Sequence, residues 1–173
     1  MTNQNDSTTR RSIVIGAAGG LIAASAAHAA PKALSMADLK KEADVACLYH
    51  CDYGDSARFA QTLNNISNHY SAYGADPFKL QLVIVAHSAA VKFFLNTLEG
   101  TPWKDEASPA KAFERVTDLS KNGLKVHLCE ITFQRLKLDK DHVHDAPFIS
   151  FVPSGVATVA ALQSKGFSYL KVG

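Results

Sequence analysis

The chain has 173 residues, of which 47% are hydrophobic and 20% are charged, and these values are typical of a single globular domain. Its formal net charge is only +2, and no basic stretch is interleaved with aromatic residues. The composition therefore argues against a nucleic-acid partner.

The first 30 residues predict a removable export signal. Thr9-Arg10-Arg11-Ser12 precedes an apolar run, 13–27, that is rich in alanine and glycine, and Ala27-His28-Ala29 predicts cleavage near Ala29. The paired arginines favour the twin-arginine route, which carries folded proteins to the periplasm. The alternative is a membrane anchor, but the run is shorter than the ~20 residues that span a bilayer. No membrane association is expected after cleavage.

Five predicted strands alternate with helices in a domain that spans residues 45–173. A leader segment, 31–44, is expected to be mobile and to contain a short polar helix. The predicted strands are 44–51, 80–87, 124–130, 148–152 and 167–172. The predicted helices are 54–74, capped by Asp55; 88–100, capped by Ser88; 109–122; and 153–165. A polar loop, 101–108, and a short helix or turn, 131–138, complete the pattern.

The alternation of strands and helices predicts an α/β fold with a five-stranded parallel sheet, as in a flavodoxin-like three-layer sandwich. The expected strand order is 2-1-3-4-5. In such sheets ligands bind beyond the carboxyl ends of the strands, where the strand order reverses. That point is expected between the first and third strands.

Titratable and polar residues follow the predicted strands at this edge: His50, Cys51, Asp52, His87, Ser88, Cys129, Glu130 and Ser154. A single histidine in such a place is more often a core residue than a catalyst. Their shared position nevertheless predicts a site at this edge of the sheet.

Cys129 is the candidate nucleophile because it lies where a strand meets a predicted helix. The positive end of a helix dipole stabilises a thiolate over a thiol. The alternative is that Cys129 is a small buried hydrophobe. No metal or organic cofactor is required for thiolate chemistry at sulfur.

The chain has three cysteines, an odd number for a compartment in which cysteines are normally paired. Cys47 and Cys51 lie about 13 Å apart in an extended strand, too far for a disulfide. Two arrangements stay open for Cys51 and Cys129, a structural bridge or a redox pair. A metal site of His50, Cys51, His87 and Cys129 is conceivable, but the close CxxC or HxxxH pairs of such sites are lacking, so none is predicted.

Four segments resemble the DsrE/DsrF-like (YchN-like) family, in particular an exported branch of short single-domain chains. They are "HCDYGDSARFAQTLNNISNHY", "LQLVIVAH", "NGLKVHLCEITFQ" and "FVPSGVATVAALQSKGFSYLKV", and together they span about residues 45–172. The "C-x-x-T" element contains Cys129 and Thr132, and the "PSGV" element contains Ser154. Two positions depart from the family pattern: Ser88 stands where a glycine usually follows the histidine, and Cys51 is an addition.

The resemblance implies a five-stranded domain that assembles as a homotrimer or homohexamer, with a persulfide on the cysteine that matches Cys129. The first hypothesis is therefore a periplasmic sulfur carrier that takes sulfur from a donor and passes it to an acceptor. His50 and His87 would tune protonation, and Cys51, Asp52, Ser88, Thr132 and Ser154 would contact the substrate. The alternatives are an oligomeric protein that binds a small ligand or partner, and a Cys51/Cys129 redox pair.

Overall fold

The computed structural model describes Met1 and residues 31–173, so the predicted export signal lies outside the described residues. The predicted α/β class is confirmed, because the described strands form one parallel sheet flanked by helices. The strands are β1 Lys32–Ala33, β2 Val45–Cys51, β3 Leu80–Ala86, β4 Lys125–Cys129, β5 Ile149–Val152 and β6 Ser168–Leu170. The α-helices are α1 Ser56–Ala72, α2 Ala110–Ser120, α3 Glu130–Leu136 and α4 Gly155–Ser164, and 3-10 helices span Ser88–Phe94 and Lys140–His142.

The predicted strand order is wrong. The sheet runs β1-β5-β4-β3-β2-β6, so the first long strand, β2, lies between β3 and β6. Strands β2 to β5 are added one after another in the same direction, whereas the last crossover returns to place β6 on the free side of β2. Helical and strand periodicity identify the elements but not their lateral neighbours, so they do not decide between the two orders.

Two hydrophobic clusters show which helices cover which face of the sheet. The larger cluster contains Phe59 of α1, Val116 of α2 and Phe133 of α3. The smaller cluster, on the other face, contains Leu162 of α4 and Val85 of β3. The crossover that leaves β4 through α3 and the crossover that leaves β5 through α4 therefore run over opposite faces of the sheet. By the general rule for open α/β sheets, the ligand-binding crevice lies between the ends of these two strands.

The segment 31–44 packs on the domain instead of forming the expected mobile leader with a short helix. β1 pairs with β5, and the Leu34 amide donates a hydrogen bond to the Phe151 carbonyl at 2.8 Å. Leu39 is buried in the smaller cluster with Leu162. Leu34 and Leu39 therefore help α4 to cover the face of the sheet that carries the smaller cluster.

Local signals in the sequence are borne out for α1, where Asp55 accepts a hydrogen bond from the Arg58 amide at 2.6 Å. The helix predicted for 88–100 is instead a 3-10 helix, Ser88–Phe94, and Ser88 does not cap it but adopts a positive φ of 52°. The polar loop that follows contributes buried Trp103 to the core. None of the described helices is long and apolar enough to cross a membrane.

Candidate functional site

A cavity of about 580 Å³ opens at the carboxyl edge of the sheet, between the ends of β4 and β5, whose crossovers run over opposite faces. Its wall is mostly apolar. The lining residues are His87, Ser88, Ala89, Pro102, Trp103, Cys129, Ile131, Thr132, Arg135, Leu136, Ser154 and Val156. Such a volume accommodates a small organic molecule or a short segment of a partner.

Cys129 is the last residue of β4 and the residue that immediately precedes α3. Its backbone is extended, with φ −75° and ψ 113°, and the thiol makes no capping hydrogen bond within the described chain. The residue is only 5% exposed, but it borders the cavity. The thiol is therefore shielded from bulk solvent while a molecule inside the cavity can reach it.

A chain of hydrogen bonds runs along the rim from β6 to the cavity wall. Nδ1 of His50 lies 2.7 Å from the hydroxyl of Tyr169, and Nε2 of His50 lies 2.7 Å from Nε2 of His87. Nδ1 of His87 lies 3.1 Å from Oγ of Ser88. Burial lowers the pKa of both imidazoles below the ordinary histidine value, so both are neutral at pH 7.

Asp52 lies next to this chain and forms an ion pair with Lys171, with 2.7 Å between the carboxylate oxygen and Nζ. Burial tends to raise the pKa of Asp52, but the hydrogen bond and charge of Lys171 outweigh burial and lower it. The aspartate is thus a carboxylate at neutral pH, and its charge is balanced by the lysine.

The loops that carry the cavity residues are tied to one another. The Ser88 amide donates a hydrogen bond to Oγ1 of Thr132 at 3.0 Å, and Oγ of Ser154 accepts one from the Ala157 amide at 3.3 Å, which caps α4. A Cβ on Gly155 would lie 2.9 Å from Cβ of His87. Glycine is therefore required there for α4 to approach His87.

The left-handed backbone of Ser88, with φ 52°, is a conformation that glycine adopts without a steric cost. In this chain the serine hydroxyl adds a hydrogen-bond partner for His87.

Cys51 lies on the opposite face of the sheet from Cys129. It belongs to the larger cluster under α1, is fully buried, and its sulfur lies 3.5 Å from the hydroxyl of Tyr53. In the register Cys51 aligns with Ala86, and Ala86 aligns with Leu128, so β3 separates the two cysteine-bearing strands.

Two strand spacings and an offset of one residue place the Cα atoms of Cys51 and Cys129 about 10 Å apart, beyond the reach of a disulfide. The structure therefore excludes the two alternatives that the sequence left open, a Cys51–Cys129 bridge and a redox pair of these cysteines, because the thiols lie on opposite faces of the sheet. All three cysteines of the chain lie in the described part, and each is a free thiol.

The structure brings five of the eight predicted site residues together around the cavity: His87, Ser88, Cys129, Thr132 and Ser154. His50 and Asp52 join His87 in a second cluster along the rim, whereas Cys51 is buried away from both. Sequence reasoning missed Tyr169 and Lys171, because the predicted strand order separates the last strand from the first. Pairing of β6 with β2 is what brings them to His50 and Asp52.

A model of the DsrE/DsrF-like family matches residues 22–172 of the chain. Among solved structures, the chain is similar to that of MTH1491, a protein of unknown function from Methanobacterium thermoautotrophicum. The two share 20% sequence identity with a TM-score of 0.58, and the match covers 74% of this chain and 99% of the other. This likeness supports the fold. Comparison with curated proteins finds no match.

Proposed function

Because this chain belongs to the DsrE/DsrF-like family, which is associated with sulfur relay, we propose that it carries sulfane sulfur as a persulfide on Cys129. The observation that carries the proposal is the position of this thiol on the wall of the large cavity at the carboxyl edge of the sheet. Neither of the other two thiols lines this cavity: Cys51 is sealed under α1, and Cys47 is buried earlier in the same strand.

The proposed loading step is nucleophilic substitution at sulfur. The Cys129 thiolate attacks the outer sulfur of a donor persulfide, the donor S–S bond breaks, and the donor leaves as a thiolate. The product is Cys129 persulfide. An acceptor thiolate then attacks the outer sulfur and releases the Cys129 thiolate, so no external oxidant or reductant is needed.

His87 supports this step from the same wall of the cavity. Its ring is held between His50 and Ser88, and Gly155 packs against it, so the imidazole has a defined orientation. Because both ring nitrogens are already hydrogen-bonded, we assign to His87 the shaping of the cavity wall beside Cys129. Thr132 and Ser154 supply hydroxyls on the same wall.

The sharpest test is mass spectrometry of the protein after incubation with polysulfide and removal of excess reagent. We expect a mass gain of about 32 Da, one sulfur atom, mapped to the peptide of Cys129. Cys129→Ser should abolish the gain, whereas Cys51→Ser should retain it. A gain that maps to Cys47 or Cys51, or no gain in the wild-type protein, contradicts the proposal.

A second candidate function, the binding of a small ligand with an idle thiol, is favoured by the apolar lining of the cavity. Pro102 and Trp103 of the loop after the 3-10 helix form part of this wall. In that case Trp103 fluorescence should change on binding equally in the wild-type protein and in Cys129→Ser, with no persulfide formed.

We further propose export to the periplasm with cleavage near Ala29, and assembly as a homotrimer or homohexamer. Assembly is supported by exposed apolar side chains beside the cavity, Ile131, Leu136 and Val156, because such a patch is typical of interfaces. Cell fractionation with N-terminal sequencing tests the first proposal, and light scattering of the purified protein tests the second.

A further inference from the structure

The rim holds a cluster of ligand-type side chains that sulfur transfer does not need as a unit. One ligand atom each from His50, Asp52 and His87 lie within 4.8 Å of one another. His50 and Asp52 stand on either side of Cys51, the last residue of β2, and His87 comes directly after β3. The main-chain bond from the His87 amide to the Cys51 carbonyl, 3.0 Å, holds the two strand ends in register.

Each imidazole turns one ring nitrogen toward the other ring and the second toward a hydroxyl. Their Nε2 atoms face each other at 2.7 Å, while each Nδ1 atom points outward to a hydroxyl, of Tyr169 for His50 and of Ser88 for His87. Metal-ligating histidines almost always hydrogen-bond through the other ring nitrogen, which sets the tautomer and the ring orientation. In the metal-free protein one Nε2 holds the proton of the bond between the rings. When both rings carry their proton on Nδ1, both Nε2 atoms present lone pairs to a cation.

Lys171 balances the negative charge of this cluster. Its ammonium group neutralises the Asp52 carboxylate, the single negative charge among the three ligand-type residues. The Lys171 side chain is 34% exposed and follows β6, so its ammonium group can turn into solvent. A cation that binds the carboxylate would take over the role of the lysine.

We propose that His50, Asp52 and His87 form a binding site for a divalent transition-metal cation of the Zn²⁺ class, with two imidazole nitrogens and one carboxylate oxygen as ligands. Zinc accepts this set in tetrahedral geometry with a fourth position open. Zn–N bonds of about 2.0 Å require Nε2 atoms about 3.3 Å apart. Binding thus replaces the hydrogen bond between the rings and opens their separation by about 0.6 Å.

This site differs from the ligand set considered from the sequence, because it excludes both cysteines and gains Asp52. Cys51 points to the other face of the sheet, and Cys129 lies on β4, beyond the two strands that carry the ligands. The proposal is therefore independent of persulfide formation at Cys129.

The test is a calorimetric titration of the untagged, chelator-treated protein with Zn²⁺. We expect one equivalent per chain, and affinity at least about a hundredfold lower for His50→Ala and for His87→Ala. Two controls should bind like the wild-type protein: His142→Ala, a histidine outside the cluster, and Cys129→Ser. Absence of saturable binding, or binding that is lost with Cys129→Ser and retained with His50→Ala, overturns the proposal.

A gain of affinity guards against variants that merely misfold. Lys171→Met frees Asp52 from its ion pair, so we expect Zn²⁺ to bind about tenfold more tightly. Unchanged or weaker binding by this variant would contradict the role of Asp52. Co²⁺ gives a further check, since its near-ultraviolet absorption should lack the sulfur-to-metal charge-transfer band that a Cys129 ligand would produce.

Discussion

Two cysteines at strand ends on the same edge of the sheet have opposite surroundings. Cys129 borders a cavity of about 580 Å³, whereas Cys51 is fully enclosed with Tyr53 beneath α1. Burial raises the pKa of the Cys51 thiol to about 12, so this cysteine remains a protonated thiol at neutral pH.

The difference arises from strand parity and from the crossover connections. Cys51 points to the face that α1, α2 and α3 cover, and Cys129 lies where α3 and α4 diverge to opposite faces. The lesson is that a cysteine at a strand end borders a cavity in this protein where the neighbouring crossovers separate. Four measurements can break or sharpen this comparison.

The largest expected effect is a difference in alkylation rate between the two thiols. We expect iodoacetamide to modify Cys51 at least about a thousandfold more slowly than Cys129, because Cys51 reacts only after an opening that costs about 4 kcal/mol or more. Peptide mapping over time measures both rates in one sample. In guanidinium the rates should converge, and similar rates in the native protein would refute the comparison.

His127 extends the comparison along β4, since it is a buried residue on the same face as Cys129, with Nδ1 2.7 Å from Oγ of Ser150. Burial lowers the pKa of His127 to about 4. The unfolded chain, with a histidine pKa of about 6.5, takes up the proton first, so stability falls as the pH drops from about 6.5 to about 4.

The wild-type protein should therefore lose about 3 kcal/mol of unfolding free energy relative to His127→Gln over this pH range. Chemical denaturation at pH 7 and pH 4 measures the difference, and histidines common to both proteins cancel. Parallel pH dependence of the two proteins would show that the ring is accessible to protons.

Gly155→Ala tests the packing beside the cavity, because it presses a methyl group against His87. We expect a loss of about 2 kcal/mol of unfolding free energy, because the new Cβ would lie 2.9 Å from Cβ of His87. The matched control is Val156→Ala, the next residue of α4 and 68% exposed, which should change stability by less than about 0.5 kcal/mol. Equal stability of Gly155→Ala and the wild-type protein would mean that the contact relaxes freely.

Thr62→Val tests the enclosed surroundings of Cys51 and has the smallest expected effect. Oγ1 of Thr62 bonds to the Tyr53 hydroxyl and donates to the Arg58 carbonyl at 3.0 Å. We expect a loss of about 1 kcal/mol and faster alkylation of Cys51. Thr117→Val removes a comparable bond to the carbonyl four residues earlier in α2, without an aromatic partner, and should cost less.

Much of the fold follows from local patterns in the chain. The apolar runs of β2 and β3 predict buried parallel strands, and Asp55 predicts the start of α1. Five site residues around the cavity could be predicted because the carboxyl ends of parallel strands share one edge of the sheet. The packed segment 31–44 and the 3-10 helix after His87 could not, because tertiary contacts override weak local preference there.

The sequence by itself determined the parallel α/β class and the set of chemical groups at the carboxyl edge, since periodicity and strand ends are local properties. Only the tertiary structure decided the strand order, the face of each cysteine, and the meeting of Tyr169 and Lys171 with His50 and Asp52. These depend on where the last crossover places β6. That choice is settled by which face of the sheet still needs covering, and it is made by residues far apart in the chain.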